Sequence, residues 1–195
     1  MFRQEFMYTY GVIRLESDFK QVDILTLSEV QYLKQMFDRY PKNFWTRDYN
    51  LFNLYKCDIP RRMHPNDVNT IRGISQKVKS HLDNKKDAAH YFLKYIPNSF
   101  THVHIDNPYR IQRTAVTLID VSQDLVGGEV VLINNISQSD LMPGEFRPDK
   151  NVKNIKVPVV VRQKVGSTLI YNHNVRHGVT KVEQGHRLVF ISWYG

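Results

Sequence analysis

The chain has 195 residues, 42% hydrophobic and 24% charged, which is enough for one domain with a substantial core and too short for two of ordinary size. Its longest apolar run, around Val157 to Val161, is far below the roughly 18 residues of a membrane span, and Met1 to Glu5 do not read as a secretory leader, so membrane and secreted classes are set aside. The lone Cys57 forms neither an internal disulfide nor a zinc finger or ribbon, which favours a cytoplasmic location, and 27 Lys and Arg against 19 Asp and Glu leave +8, a charge that attracts anionic partners without naming one.

Residues 1–25 mix turn formers and apolar positions, and no repeat or low-complexity tract interrupts the chain. Thr26-Leu-Ser-Glu29 has capping-box spacing, and Val30, Leu33, Phe37 and Tyr40 share one helical face until Pro41 ends it. The stretch from Phe44 to Phe52, with Trp45 near its start, is aromatic and polar together. It reads as a packed strand, with a substrate groove as the alternative. A second helix is expected from near Asn66, with Val68, Ile71, Ile74 or Ser75, Val78 and Leu82 at helical spacing before the polar break at Asp83 to Lys86.

From Ala89 the period changes to short runs of Val, Ile, Thr, Tyr and Phe punctuated by Gly, Pro and Asn. Strands are expected at His90–Tyr95, Thr101–His104, Arg113–Val121, Glu129–Asn134, Lys156–Val161, Ser167–Tyr171 and Arg187–Trp193. Two helices followed by seven strands predict an α+β fold with the helices on one face of a sandwich or barrel. The chain therefore reads as one domain over 1–195, with helical support in 1–88 and a β core in 89–195.

Eight histidines are present, and their spacing matters more than their number. In His104-Ile105-Asp106 the strand period sends imidazole and carboxylate to the same face. A second imidazole from a later strand would complete the two-histidine, one-carboxylate face that suits non-haem Fe(II), with positions left open for a chelating cosubstrate and O₂. His177 is the candidate. Arg187 follows ten residues later; if Val179 to Val182 forms a strand and Gly185 turns the chain, Arg187 returns close to the metal, where a guanidinium clamps a carboxylate. Other readings stay open at this point. His102 shares a face with His104 in the manner of a cupin site, although no glutamate follows. His173 and His177 have the spacing of a helical zinc pair, but in a loop-like context. Each residue alone also fits a surface pair or a core histidine.

An ordered set of motifs, His104-Ile-Asp106-Asn-Pro108, Arg113 to Thr117, Gly127-Gly128-Glu129, Gly166 before a strand, and His177 with Arg187 and Trp193, resembles the 2-oxoglutarate and Fe(II)-dependent dioxygenases, in particular the prolyl-4-hydroxylase-like branch. The resemblance covers about residues 90–195. It implies a distorted double-stranded β-helix, jelly-roll-like, with N-terminal supporting helices. It further implies Fe(II) on His104, Asp106 and His177, the distal carboxylate of 2-oxoglutarate on Arg187, and Tyr95 and Thr117 lining the cosubstrate pocket. Some relatives carry a tyrosine where this chain has Val121. The implied reaction consumes O₂ and 2-oxoglutarate, releases succinate and CO₂ and hydroxylates a C–H bond, with ascorbate as an accessory reductant. The aspartate ligand favours hydroxylation over halogenation. Read from their own positions, Arg113 is a surface cation or a substrate contact, and Trp193 is a core residue or, by its even offset from Arg187, a substrate contact.

Relatives that demethylate nucleic-acid bases carry a second arginine six residues after the first, where this chain has Trp193, so a prolyl or other residue of a peptide or protein is the expected substrate. Residues 147–164 carry Arg147, Lys150, Lys153, Lys156, Arg162 and Lys164 against Asp149, so a nucleic-acid partner stays open, as does a free amino acid. A β-sandwich binding module with a basic patch and no turnover is the alternative from a different class.

Overall fold

The computed structural model describes residues 19–40, 45–48, 54–58, 64–83, 86–106, 111–133, 159–173 and 175–195. In chain order these form β1 (Phe19–Asp23), α1 (Leu27–Arg39), β2 (Trp45–Asp48), β3 (Leu54–Asp58), α2 (Pro65–Lys79), β4 (Asp87–Tyr95), β5 (Thr101–His104), β6 (Arg113–Val121), β7 (Val130–Ile133), β8 (Val159–Val161), β9 (Ser167–Asn172), β10 (Arg176–Val179) and β11 (Arg187–Tyr194). Every strand pairing is antiparallel. A wide sheet runs β1-β9-β6-β11-β4-β3-β2, and a narrower one runs β5-β10-β7-β8.

The two helices start where their capping residues place them. Thr26 Oγ1 accepts from the Glu29 N–H at 3.3 Å while Glu29 Oε2 accepts from the Thr26 N–H at 2.8 Å, which satisfies two otherwise orphaned donors. In α2 the imidazole of His64 accepts from the Asn66 N–H, with Pro65 in the first turn where its missing N–H costs nothing. Val30, Leu33, Met36 and Phe37 of α1 and Ile71 and Ile74 of α2 pack on Phe92, Ile119, Leu188 and Phe190 of the wide sheet. The opposite face of that sheet carries Tyr91, Tyr95, Val116, Leu118, Leu169, Tyr171, Val189 and Ile191, which meet Val130, Leu132, Val161 and Val179 across the gap between the sheets. Covered on both faces, β6 and β11 are buried almost throughout rather than alternating. No described helix is long and apolar enough to cross a membrane.

The seven expected strands are present, β5 and β6 with the expected bounds and the others with shifted ends. β4 starts at Asp87, β9 reaches Asn172 and β11 reaches Tyr194, while 134 and 156–158 lie outside the described residues. Two strands were not expected, β1 and β3, which fall in the stretch read as helical support; β2 lies where Phe44 to Phe52 reads as a packed strand, and all three extend the edges of the wide sheet. β1 has just two half-buried positions, so its alternation is faint. The strand expected at Val179–Val182 is instead Arg176–Val179, because the Thr180 side chain ties to Glu129 and the Val182 N–H turns to the Ser99 carbonyl at 2.9 Å.

Phe92 joins the layers, with ring centroids 5.5 Å from Phe37 of α1 and 5.4 Å from Phe190 of β11. Phe92→Ala should lower unfolding stability by about 3–5 kcal/mol in a urea titration. A loss below about 1 kcal/mol would show that the helices do not depend on this contact.

Candidate metal centre

His177 of β10 lies directly opposite His104 of β5 in the antiparallel register. A one-residue slip of either strand would send its histidine to the other face. Their rings stand 4.3 Å apart between centroids. Asp106, two residues past β5, brings Oδ1 to 3.9 Å from the Nε2 of each histidine, and one donor atom from each of the three lies within 4.8 Å of the others. The outward atoms are already engaged. His104 Nδ1–H donates to the His102 carbonyl at 2.8 Å and His177 Nδ1–H to the Val175 carbonyl at 3.0 Å, which orients both rings and leaves each Nε2 lone pair aimed inward. Thr114 donates its hydroxyl to Asp106 Oδ2, leaving Oδ1 for the centre.

Burial, and then His104 beside it, push the His177 imidazole down to about 4 against the opposing pull of Asp106. At neutral pH the ring is therefore neutral, the form that ligates a metal. Tyr171 stacks obliquely on His177 at 4.5 Å, and burial followed by Asp106 raises its phenol well above the ordinary range, so it stays protonated. Two imidazoles and one carboxylate on one face fit a divalent iron with open positions.

These residues open into a cavity of about 240 Å³ between the sheets. Arg187, Val189, Ile191 and Trp193 line it from alternate positions of β11, and Tyr91, Leu93 and Tyr95 from β4. Arg187 is only 4% exposed, its Nε has no hydrogen-bond partner, and no carboxylate pairs with it among the described residues. A guanidinium so buried is costly unless an anion meets it, so the site fits a ligand carboxylate. Its Cζ lies 5.8 Å from the centre of the Tyr95 ring, and Tyr95 shares a 2.9 Å hydrogen bond with Thr101.

The Gly127-Gly128 pair lies on the far side of Arg187, in the wall of a second cavity that Arg187 also lines. Both have positive φ, and a Cβ on Gly127 would lie 2.0 Å from the Lys181 carbonyl oxygen, so only glycine allows the turn.

The other expected residues divide. Trp193 lines the cavity, edge-on to Tyr91 at 5.0 Å. Thr117 does not; it faces away and shares a 2.8 Å hydrogen bond with Thr168. Arg113 also stays out of the cavity wall, on the same side of β6 as Ala115, which packs with Val78 of α2, and it donates to the Gln112 carbonyl. The face of β6 that reaches the cavity carries Thr114 and Val116. His102 contributes its backbone carbonyl while its ring meets Phe100, and His173 is not in the cluster. Trp45 sits on β2 opposite Cys57, and most of its aromatic stretch lies outside the described residues. Thr114 and Tyr171 escaped the sequence reading, since strands buried on both faces show no phase.

A model of the 2OG-Fe(II) oxygenase superfamily matches residues 68–195. Among solved structures the fold is similar to that of a prolyl-4-hydroxylase from Pseudomonas putida, with a TM-score of 0.65 and 17% identity over 92% of this chain and 94% of that one. It is also similar to a prolyl hydroxylase from Trichoplax adhaerens in complex with a hypoxia inducible factor oxygen degradation domain peptide fragment (TM-score 0.61, 14% identity, 91% and 83% covered). A third neighbour is HygX from Streptomyces hygroscopicus with nickel, 2-oxoglutarate and hygromycin B bound (TM-score 0.65, 15% identity, 91% and 82% covered). No curated protein matches the sequence.

Thr114→Val removes the donor that holds Asp106. It should weaken Mn(II) or Fe(II) affinity about 10- to 100-fold in a calorimetric titration. An unchanged affinity would show that Asp106 needs no such anchor.

Proposed function

The chain belongs to the 2OG-Fe(II) oxygenase superfamily, and from that premise we propose that it hydroxylates a prolyl or other residue of a peptide or protein at a centre made by His104, Asp106 and His177. It is an enzyme that works with Fe(II), 2-oxoglutarate and O₂. One observation carries the assignment of residues: three donor atoms converge on one point, beside a buried arginine that no carboxylate pairs with among the described residues. When bound, the iron and cosubstrate supply the oxidising chemistry, with succinate and CO₂ as co-products.

The chain's own residues do the rest. The His102 and Val175 carbonyls hold the two imidazoles in the tautomer that presents Nε2, and Thr114 fixes the rotation of Asp106. Arg187 takes the distal carboxylate of 2-oxoglutarate, with the Tyr95 ring alongside. Buried Asp106 and His177, 6% and 8% exposed, keep bulk water from the metal's protein side. Ile105, 45% exposed, lines the cavity together with Trp193 and Tyr91 and adds exposed apolar surface to it. Helices α1 and α2 act as braces for the wide sheet, and residues 1–195 act as one domain. The peptide-bound neighbour and the prolyl-4-hydroxylase neighbour support a peptide substrate. In the basic segment, Arg162 and Lys164 are exposed and positioned to draw an acidic partner, while 147–158 lie outside the described residues.

Succinate release measured against proline-rich peptides, free amino acids and single-stranded nucleic acid tests the reading, with stimulation by a peptide as the expected result. His104→Ala and Asp106→Ala should each abolish release; turnover that survives both changes would sink the assignment. Arg187→Ala should raise KM for 2-oxoglutarate about tenfold or more with a smaller change in kcat. An unaltered KM would remove Arg187 from its role.

A further inference from the structure

We propose that Gln163 is the positioning residue for Arg187, holding the guanidinium with a neutral acceptor so that its charge stays available to the distal carboxylate of 2-oxoglutarate. The inference rests on the assignment of Arg187 to that carboxylate. Arg187 Nη2 donates to Gln163 Oε1 at 2.6 Å and Nη1 donates to the Gly128 carbonyl at 2.5 Å, while Nε is left without a partner. Both acceptors are uncharged. Gln163 is itself fixed from its other end, where Nε2 donates to the carbonyls of Val116 at 2.8 Å and Ser167 at 3.4 Å. Those two carbonyls dictate which way the carboxamide points, because an oxygen turned toward them would be repelled. A glutamate at 163 would meet Arg187 well but face the two carbonyls with no proton to give.

Among the described residues, the acid that acts on Arg187 is kept occupied. Glu129 directly follows Gly128, yet its N–H donates to Thr180 Oγ1 at 2.9 Å and that hydroxyl donates back to Glu129 Oε2 at 2.6 Å. Had Glu129 or residue 163 supplied a paired carboxylate, 2-oxoglutarate would have to displace it, and the exchange of one carboxylate for another yields little net affinity. The neutral clamp fixes the fork of donors without satisfying its charge. Glutamine rather than glutamate at 163 therefore sets the preference of this site for a dicarboxylate 2-oxo acid.

The test is calorimetric titration of the Mn(II)-loaded protein with 2-oxoglutarate and with 2-oxopentanoate, which keeps the 2-oxo acid end and carries a methyl group in place of the distal carboxylate. The ratio of the two affinities is the readout, and general damage to the site would weaken both ligands alike. Gln163→Glu should lower the preference for 2-oxoglutarate about tenfold or more while 2-oxopentanoate binds as before. Gln163→Met, which lacks the oxygen acceptor, should lower it by a smaller factor, and it decides alone if Gln163→Glu does not fold. A wild-type preference in the folded variants overturns the inference. Arg187→Ala separates this failure from failure of the premise. If Arg187→Ala keeps the wild-type preference, Arg187 is not the carboxylate's partner; if Arg187→Ala loses it and the Gln163 variants keep it, only the role of Gln163 falls.

Discussion

The pairing of β5 with β10 that sets His104 opposite His177 is the constraint on which the site depends. Strand geometry makes it stringent, because a shift of one residue reverses every side chain. The register is held from both directions. β10 is pinned on its other side by β7, where His177 faces Leu132 and Val179 faces Val130, and the apolar side chains of β7 are locked against the wide sheet. The helices then cover the far face of that sheet around Phe92 and Phe190. Packing remote from the metal thus fixes the one register that makes a metal centre.

Within this frame the polar groups are handled in two contrasting ways. Around the triad, every atom not aimed at the centre is already engaged: two Nδ1–H groups by carbonyls and Asp106 Oδ2 by Thr114. Around Arg187 the two Nη groups are held and the charge is not met, since Gly128 and Gln163 accept hydrogen bonds but bring no negative charge. A buried cation held this way lowers the stability of the empty protein, and that cost is recovered when an anion arrives. The strain of the Gly127-Gly128 turn serves the same end, because it delivers the Gly128 carbonyl to the guanidinium.

Much of the centre was legible in the sequence because it obeys simple periods. His104 and Asp106 are two apart on an extended segment, and Arg187 and Trp193 share a face of β11 by even spacing. What escaped has physical reasons. β6 is buried on both faces, so nothing in Arg-Thr-Ala-Val-Thr-Leu-Ile-Asp-Val marks its phase. Thr117 was taken for the cavity-facing threonine when Thr114 is. Gln163 sits in a turn between β8 and β9, where no periodicity exists to read. β10 contains a glycine and only four residues, too short to show alternation, which is why its strand was placed three residues late. β1 and β3 add no side chain to the triad, and each lies beside a strand of the core, β9 and β4.

The central claim is that metal and cosubstrate share one site, with the triad at one end and Arg187 at the other. Calorimetric titration of 2-oxoglutarate into the wild-type chain and the His177→Ala variant, each with and without Mn(II), addresses it most directly. The account predicts one 2-oxoglutarate site per wild-type chain whose affinity rises when Mn(II) is present, and loss of that metal dependence in His177→Ala. Binding that is equally tight with and without metal, or a metal dependence retained in His177→Ala, would contradict it.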